Sequence, residues 1–154
     1  MADSKDIATV ERIIPATADK IFDLLADPVR HRDIDGSGTV RDATRGSQRL
    51  TLGSTFGMSM KAGLSYKMAS TVIEFEEDRL IAWQTKSSQS WMEHFVGGRI
   101  WRYELEPVEG GTLVKESWDI TQEKVKLLVR PLRKKTIESM TKTLERIEDI
   151  VTAS

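Results

Sequence analysis

An arginine and a glutamate set among large aromatics mark the place in this sequence where chemistry is most readily built. The stretch 97–120 reads GGRIWRYELEPVEGGTLVKESWDI. Two runs of alternating residues flank Pro-Val-Glu-Gly-Gly, the pattern of a β-hairpin. In the first run Arg99, Trp101, Tyr103 and Leu105 share a face; in the second Thr112, Val114, Glu116, Trp118 and Ile120 do. The aromatics argue that these faces point inward, and they bring Arg99 and Glu116 with them. Charges on a buried face need partners or water. Counting across residues 107–111 sets Leu105 opposite Thr112, Trp101 opposite Glu116 and Arg99 opposite Trp118. Arg99 and Glu116 then become diagonal neighbours at about 7–8 Å, within an arginine's reach. The pair reads either as a polar hook for a ligand's carboxylate, hydroxyl or carbonyl, or as an ion pair resting on water in an open cleft. Burial against Trp101 raises the carboxyl's pKa and the guanidinium lowers it. The expectation is that the pair holds and Glu116 is ionised at neutral pH.

A concave aromatic face with few polar groups is how a small-molecule pocket is made. Phe56, Met58 and Met60 alternate on one run, and Leu64, Tyr66 and Met68 on the next, with a turn at Ala62-Gly63 placing both sets on one face. Methionine adapts its shape to varied apolar ligands, although the same residues would also serve as core beneath a helix. Ile73 and Phe75 have the opposite parity, so a bulge between residues 70 and 73 is expected to reset the phase. The candidate ligand-binding set is Phe56, Met58, Met60, Tyr66, Met68, Trp83, Arg99, Trp101, Tyr103, Glu116, Trp118 and Met140. No catalytic residue, metal ligand or cofactor is assigned.

Other chemistry-bearing residues carry less. His31 and His94 are the only histidines, and neither has a metal-binding spacing; a catalytic dyad using one of them is the minor reading. Gly36-Ser37-Gly38 is followed by no Lys-Ser/Thr and no long helix, so it reads as a turn rather than a phosphate loop. Arg130, Arg133, Lys134 and Lys135 gather where a long helix begins, the end at which the helix dipole disfavours cations. They form either a rim that attracts acidic ligands or lipid head groups, or a solvated face. Trp91-Met92, beside a polar loop, is either a lid tip or a hairpin end.

The whole chain bounds these readings. Its 154 residues favour one domain, 1–154, with a real core. A net charge of −1 gives no global attraction to nucleic acid or anionic membrane. The absence of cysteine excludes disulfides and a thiol nucleophile. The opening MADSKDIATVER lacks the apolar core of a signal peptide, and no run approaches the roughly 18–20 apolar residues of a membrane span. A cytoplasmic protein without stable membrane insertion is expected; its oligomeric state, a homodimer included, is left open.

The elements that must position the site follow from periodicity. Strands are expected over 6–14, 39–43, 49–61, 64–75, 79–86, 93–105 and 112–121. Residues 17–26 place Ala18, Ile21, Phe22 and Leu25 on one helical face, with Thr17 as N-cap. A short second helix is expected over 29–34 and a helical turn over 124–130. The longest helix spans 131–151, with Ile137, Met140, Leu144, Ile147 and Val151 as a single apolar stripe and Pro131 in its first turn. Consecutive strands with short turns imply an antiparallel meander. A helix with one stripe must cover one face of that sheet, leaving a cleft between.

This order resembles the helix-grip superfamily, also called START-like or SRPBCC, which includes polyketide cyclases, aromatases, lipid-transfer proteins and pollen allergens. Ile14-Pro15-Ala16-Thr17-Ala18 through Phe22, then Leu24-Leu25-Ala26-Asp27-Pro28, looks like that family's first-helix opening. Residues 30–40, RHRDIDGSGTV, resemble the segment after it, where many relatives carry Trp in place of Ile34. Arg79-Leu80-Ile81-Ala82-Trp83 and residues 101–107, WRYELEP, look like its later strands. The resemblance points to the polyketide cyclase/dehydrase branch. It implies an α+β helix-grip fold, a curved antiparallel seven-stranded sheet wrapped around a long C-terminal helix, with one or two short helices after the first strand. The family has no single catalytic signature, so no role carries over. The expected function is binding or transport of a small hydrophobic, lipid- or polyketide-like molecule between sheet and helix. The alternative is a polyketide cyclase or aromatase, with Tyr66, Arg99, Tyr103 or Glu116 steering protons; a third reading is a protein adaptor.

Overall fold

Period-two patterning produces seven strands that join in one antiparallel sheet. The computed structural model describes residues 5–38, 40–43, 48–62, 64–87 and 97–153. The strands are β1 (Ile7–Ile14), β2 (Val40–Ala43), β3 (Thr55–Ala62), β4 (Leu64–Glu76), β5 (Leu80–Ser87), β6 (Gly97–Val108) and β7 (Gly111–Asp119). Their order across the sheet is β1-β7-β6-β5-β4-β3-β2. Between β1 and β2 lie α1 (Ala18–Leu25), a 3-10 turn (Pro28–Arg30) and α2 (His31–Ile34). After β7 come α3 (Lys126–Val129), a second 3-10 turn (Arg130–Leu132) and α4 (Arg133–Thr152). This is the α+β helix-grip arrangement that the element order implies. No helix among the described residues is long and apolar enough to cross a membrane.

Local chemistry sets most boundaries. Asp27 accepts a hydrogen bond from the Val29 amide at 3.1 Å, capping the turn that Pro28 begins. Thr17 holds the N-cap position of α1 but makes no side-chain capping bond. Pro131 lies in the 3-10 turn rather than in the long helix, which starts two residues later. The strand expected over 49–61 starts only at Thr55. Before it, the Leu50 amide bonds the Ala26 carbonyl and Gly53 bonds Val72, so residues 50–54 form a loop tied to α1 and β4. The expected bulge is present: the β4–β5 register shifts between Val72 and Glu74. Val72 and Phe75 then both face the core, and Ile73 is the displaced residue, turned outward.

The apolar stripe of α4 meets two clusters. Leu144 and Ile147, essentially without exposure, pack with Ile14, Ile21, Phe22, Leu25 and Val114. Met140, one helical turn earlier, joins Ala8, Trp118, Ile120 and Val129. The C-terminal half of the helix is thus seated on the core. Its N-terminal half borders the space between the sheet and α2.

Candidate functional site

The β6–β7 hairpin supplies the buried polar centre. Its register sets Tyr103 opposite Glu116, Trp101 opposite Trp118 and Leu105 opposite Val114. This is two residues away from the expected pairing, because the turn is tighter: Val108 pairs with Gly111. A slip of two keeps every side chain on its face but changes its neighbours. Glu116 is therefore not partnered by Arg99. Its Oε2 accepts a hydrogen bond from the Tyr103 hydroxyl at 2.8 Å, and its Oε1 is buried with no partner among the described residues. Burial pushes the Glu116 carboxyl up to about 8, the nearby charge of Asp35 adds to the rise, and the Tyr103 hydrogen bond opposes it. The expected Arg99–Glu116 pair is not formed, and burial favours the protonated carboxyl rather than the ionised one. Tyr103 is likewise held well above its usual range, by burial and then by the neighbouring Glu116.

Arg99 finds its partner on the segment after β7. Its Nε donates to Glu123 Oε2 at 3.0 Å, and its backbone amide donates to the same oxygen at 2.9 Å. The Gly97 amide donates to the other Glu123 oxygen at 3.1 Å. Glu123 can come this close because residue 98 is glycine. Gly98 has φ +112°, and a Cβ there would lie 2.0 Å from the Gln122 carbonyl oxygen.

Around these groups lies a cavity of about 440 Å³ between α2, the inner face of β3–β7 and the first half of α4, a size suited to a small organic molecule. Eleven of the twelve predicted residues line it: Phe56, Met58, Met60, Tyr66, Met68, Trp83, Arg99, Trp101, Tyr103, Glu116 and Met140. The twelfth, Trp118, lies beyond the cavity wall in the cluster beneath α3. The basic residues separate: Arg130 pairs with Asp6 at 2.9 Å, Arg133 donates to the Ile7 carbonyl, and Lys135 lines the cavity. His94, Trp91 and Met92 lie outside the described residues.

Several lining residues were not anticipated. Ser70 and Thr85 continue the inward parity of Met68 and Trp83, and their hydroxyls bond each other at 2.8 Å; extending the alternation by one step would have found them. His31 gives no such signal. Its ring stacks on Trp83 at 4.9 Å and meets Phe56 edge-on, and its Nε2–H donates to the Leu25 carbonyl at 2.9 Å. Burial pushes its pKa down, which makes it a neutral wall residue. Asp35 accepts from the Ser37 amide and hydroxyl and from the Val40 amide. The Gly36 amide donates to Thr143 on α4 at 2.9 Å, and a Cβ on Gly36 would meet the Ser139 carbonyl oxygen at 2.1 Å. This loop closes one side of the cavity against the helix.

A curved sheet gripping a long helix, with an apolar cavity and a buried carboxyl between them, is the helix-grip architecture. The chain belongs to the polyketide cyclase/dehydrase and lipid transport family, whose model matches residues 6–151. The uncharacterized protein Rv0088 of Mycobacterium tuberculosis is 37% identical over 108 residues, covering 69% of this chain and 44% of its own length. The chain thus spans less than half of the curated relatives it matches. Among solved structures, protein CV1439 of Chromobacterium violaceum superposes with a TM-score of 0.76 at 10% identity, covering 98% of this chain and 100% of that one. A major latex-like protein of Panax ginseng gives 0.70 at 12%, covering 96% and 97%. Protein Ms6760 of Mycobacterium smegmatis gives 0.71 at 17%, covering 96% and 92%. At these identities the structures show a shared fold.

Proposed function

We propose that this protein binds a small, mostly apolar molecule that carries one neutral oxygen acceptor, such as a ketone or ester carbonyl. The observation that carries this reading is the buried carboxyl of Glu116, set in an apolar cavity wall with one oxygen bonded to Tyr103 and the other without a partner. An unsatisfied buried polar atom costs about 1–3 kcal/mol, so a ligand that satisfies it gains affinity over one that does not. Because Tyr103 donates to Oε2, the proton of the neutral carboxyl belongs on Oε1, and the ligand must accept it. The methionine and aromatic walls supply apolar contact without fixing one shape.

The test is a binding screen by native mass spectrometry with long-chain ketones, methyl esters and hydrocarbons of matched length. Ketones and esters should bind more tightly than hydrocarbons in the wild type, and Glu116→Leu should erase the difference. Equal binding of all three by the wild type would remove the basis of the reading. A second reading, a cyclase-type enzyme, draws on the same pair: a carboxyl titrating near 8 beside a tyrosine is suited to general acid–base work. Turnover of a poly-ketone that Glu116→Gln abolishes would favour it.

A further inference from the structure

We propose that the surface formed by α3 and the start of α4 docks on an anionic lipid bilayer, with the mouth of the cavity facing that bilayer. Among the described residues, six large apolar side chains are exposed, and three of them fall between residues 127 and 132. Leu127, Leu128 and Leu132 are 75%, 56% and 43% exposed, while Val129 between them is buried under Trp118 and Met140 and anchors the segment to the body. Single exposed leucines are ordinary, but a contiguous group marks a contact surface.

The charge around the leucines selects the occupant. Residues 124–135, KVKLLVRPLRKK, hold six cations and no anion in a chain of net charge −1, so the rest of the molecule is net acidic. Arg130 is engaged with Asp6 and Arg133 with the Ile7 carbonyl. Lys126, Lys134 and Lys135 flank the leucines, and the next acid along α4 is Glu138. Leucines that enter the acyl boundary, ringed by lysines that meet anionic head groups, are the composition of an interfacial helix.

The patch is continuous with the cavity, because Leu132 and Lys135 belong to both. A ligand leaving the bilayer would pass these two residues first. That delivery role rests on the ligand-binding reading above; the docking does not, and is tested without ligand.

The experiment is co-sedimentation of the full chain with vesicles of phosphatidylcholine alone and of phosphatidylcholine mixed with phosphatidylglycerol. The wild type should bind the anionic vesicles, leave the neutral ones, and bind less as salt is raised. Leu127→Asp combined with Leu128→Asp should lower the bound fraction about tenfold or more, with an unchanged thermal melt because both side chains are exposed. Leu52→Asp, at an exposed leucine on the loop before β3, should bind as the wild type does. Failure of the wild type to bind anionic vesicles would overturn the proposal. So would binding that the double variant leaves intact, or a loss that Leu52→Asp reproduces. A dimer of the wild type that the double variant dissociates would assign the surface to a second copy instead, and would equally overturn it.

Discussion

Replacing Glu116 by glutamine separates a neutral buried carboxyl from an ionised one. The carboxyl's pKa rises from an ordinary 4.5 to about 8 in the fold. A folded-state pKa above the unfolded value means that the native state holds a proton the unfolded chain has released. The contribution to stability is complete below pH 4.5, declines as pH rises, and is lost as pH passes about 8. The slope is about 1.36 kcal/mol per pH unit, so the wild type should lose about 2–3 kcal/mol from this group between pH 5 and pH 7. Glutamine cannot titrate, and its amide oxygen can still accept from the Tyr103 hydroxyl. Other groups bend the absolute curve: His31, held neutral by burial, destabilises the fold in acid, and Glu74, lowered chiefly by its hydrogen bond with Arg102, does the same. Both cancel when the variant is compared with the wild type at each pH.

The assay is urea unfolding of both proteins at intervals from pH 5 to pH 8. Glu116→Gln should gain on the wild type steadily as pH rises, by about 2–3 kcal/mol over the two units from 5 to 7. A difference that is flat with pH would refute the reasoning, since it would mean that Glu116 is ionised throughout the range in the folded protein. A carbon-detected NMR titration of the side-chain carboxyl gives the same answer directly.

The other expectations concern the frame around the site. Leu144→Ala removes a side chain with 1% exposure from the centre of the α4 stripe and should cost about 2–5 kcal/mol in urea unfolding; a loss within about 0.5 kcal/mol, as at a surface position, would mean that the helix docks by another face. Glu123→Ala strips the partner from the Arg99 guanidinium and from the amides of Gly97 and Arg99, so a loss of about 3–5 kcal/mol is expected, with Glu123→Gln recovering part of it; equal losses in the two variants would remove the charge from the explanation. Gly36→Ala drives a methyl into the Ser139 carbonyl and should cost about 1–3 kcal/mol, measured by thermal melting. Unchanged melting would show that the loop is not clamped to α4.

The fold was legible because its signals are periodic and redundant. The α4 stripe, the alternation of β6 and β7 and the parity conflict at Ile73 each follow from spacing alone, and each constrains the next element. Even the bulge could be placed, since Met68 and Phe75 cannot share a face without an inserted residue. What spacing could not supply was the loop before β3. There Arg49, Thr51 and Leu52 look strand-like, but the Leu50 amide is taken by the Ala26 carbonyl, a contact between elements 24 residues apart in sequence. The same limit hid His31, whose place beside Trp83 depends on how α2 crosses the sheet.

The chemistry of the site turned on a smaller quantity than the fold did. Alternation fixes which face a residue occupies, and it put Arg99, Tyr103 and Glu116 on the inner face correctly. It does not fix which of them meet, because a slip of two residues preserves every face. With Trp101 opposite Glu116, the carboxyl would sit beside an arginine and stay charged. With Tyr103 opposite Glu116, it sits beside a phenol, and burial dominates. Moving the pairing by two residues therefore exchanges an arginine–carboxylate hook, suited to a ligand's carboxylate, hydroxyl or carbonyl, for a buried carboxyl bonded to a phenol. The turn decides it: closing the hairpin with Val108 against Gly111 leaves only Glu109-Gly110 as the loop. Arg99 cannot then settle on Glu116 and is claimed by Glu123, which reaches it only because Gly98 has no side chain. The polarity of the cavity thus depends also on two places that do not line it, the Glu109-Gly110 turn that sets the hairpin register and Gly98 at the start of β6.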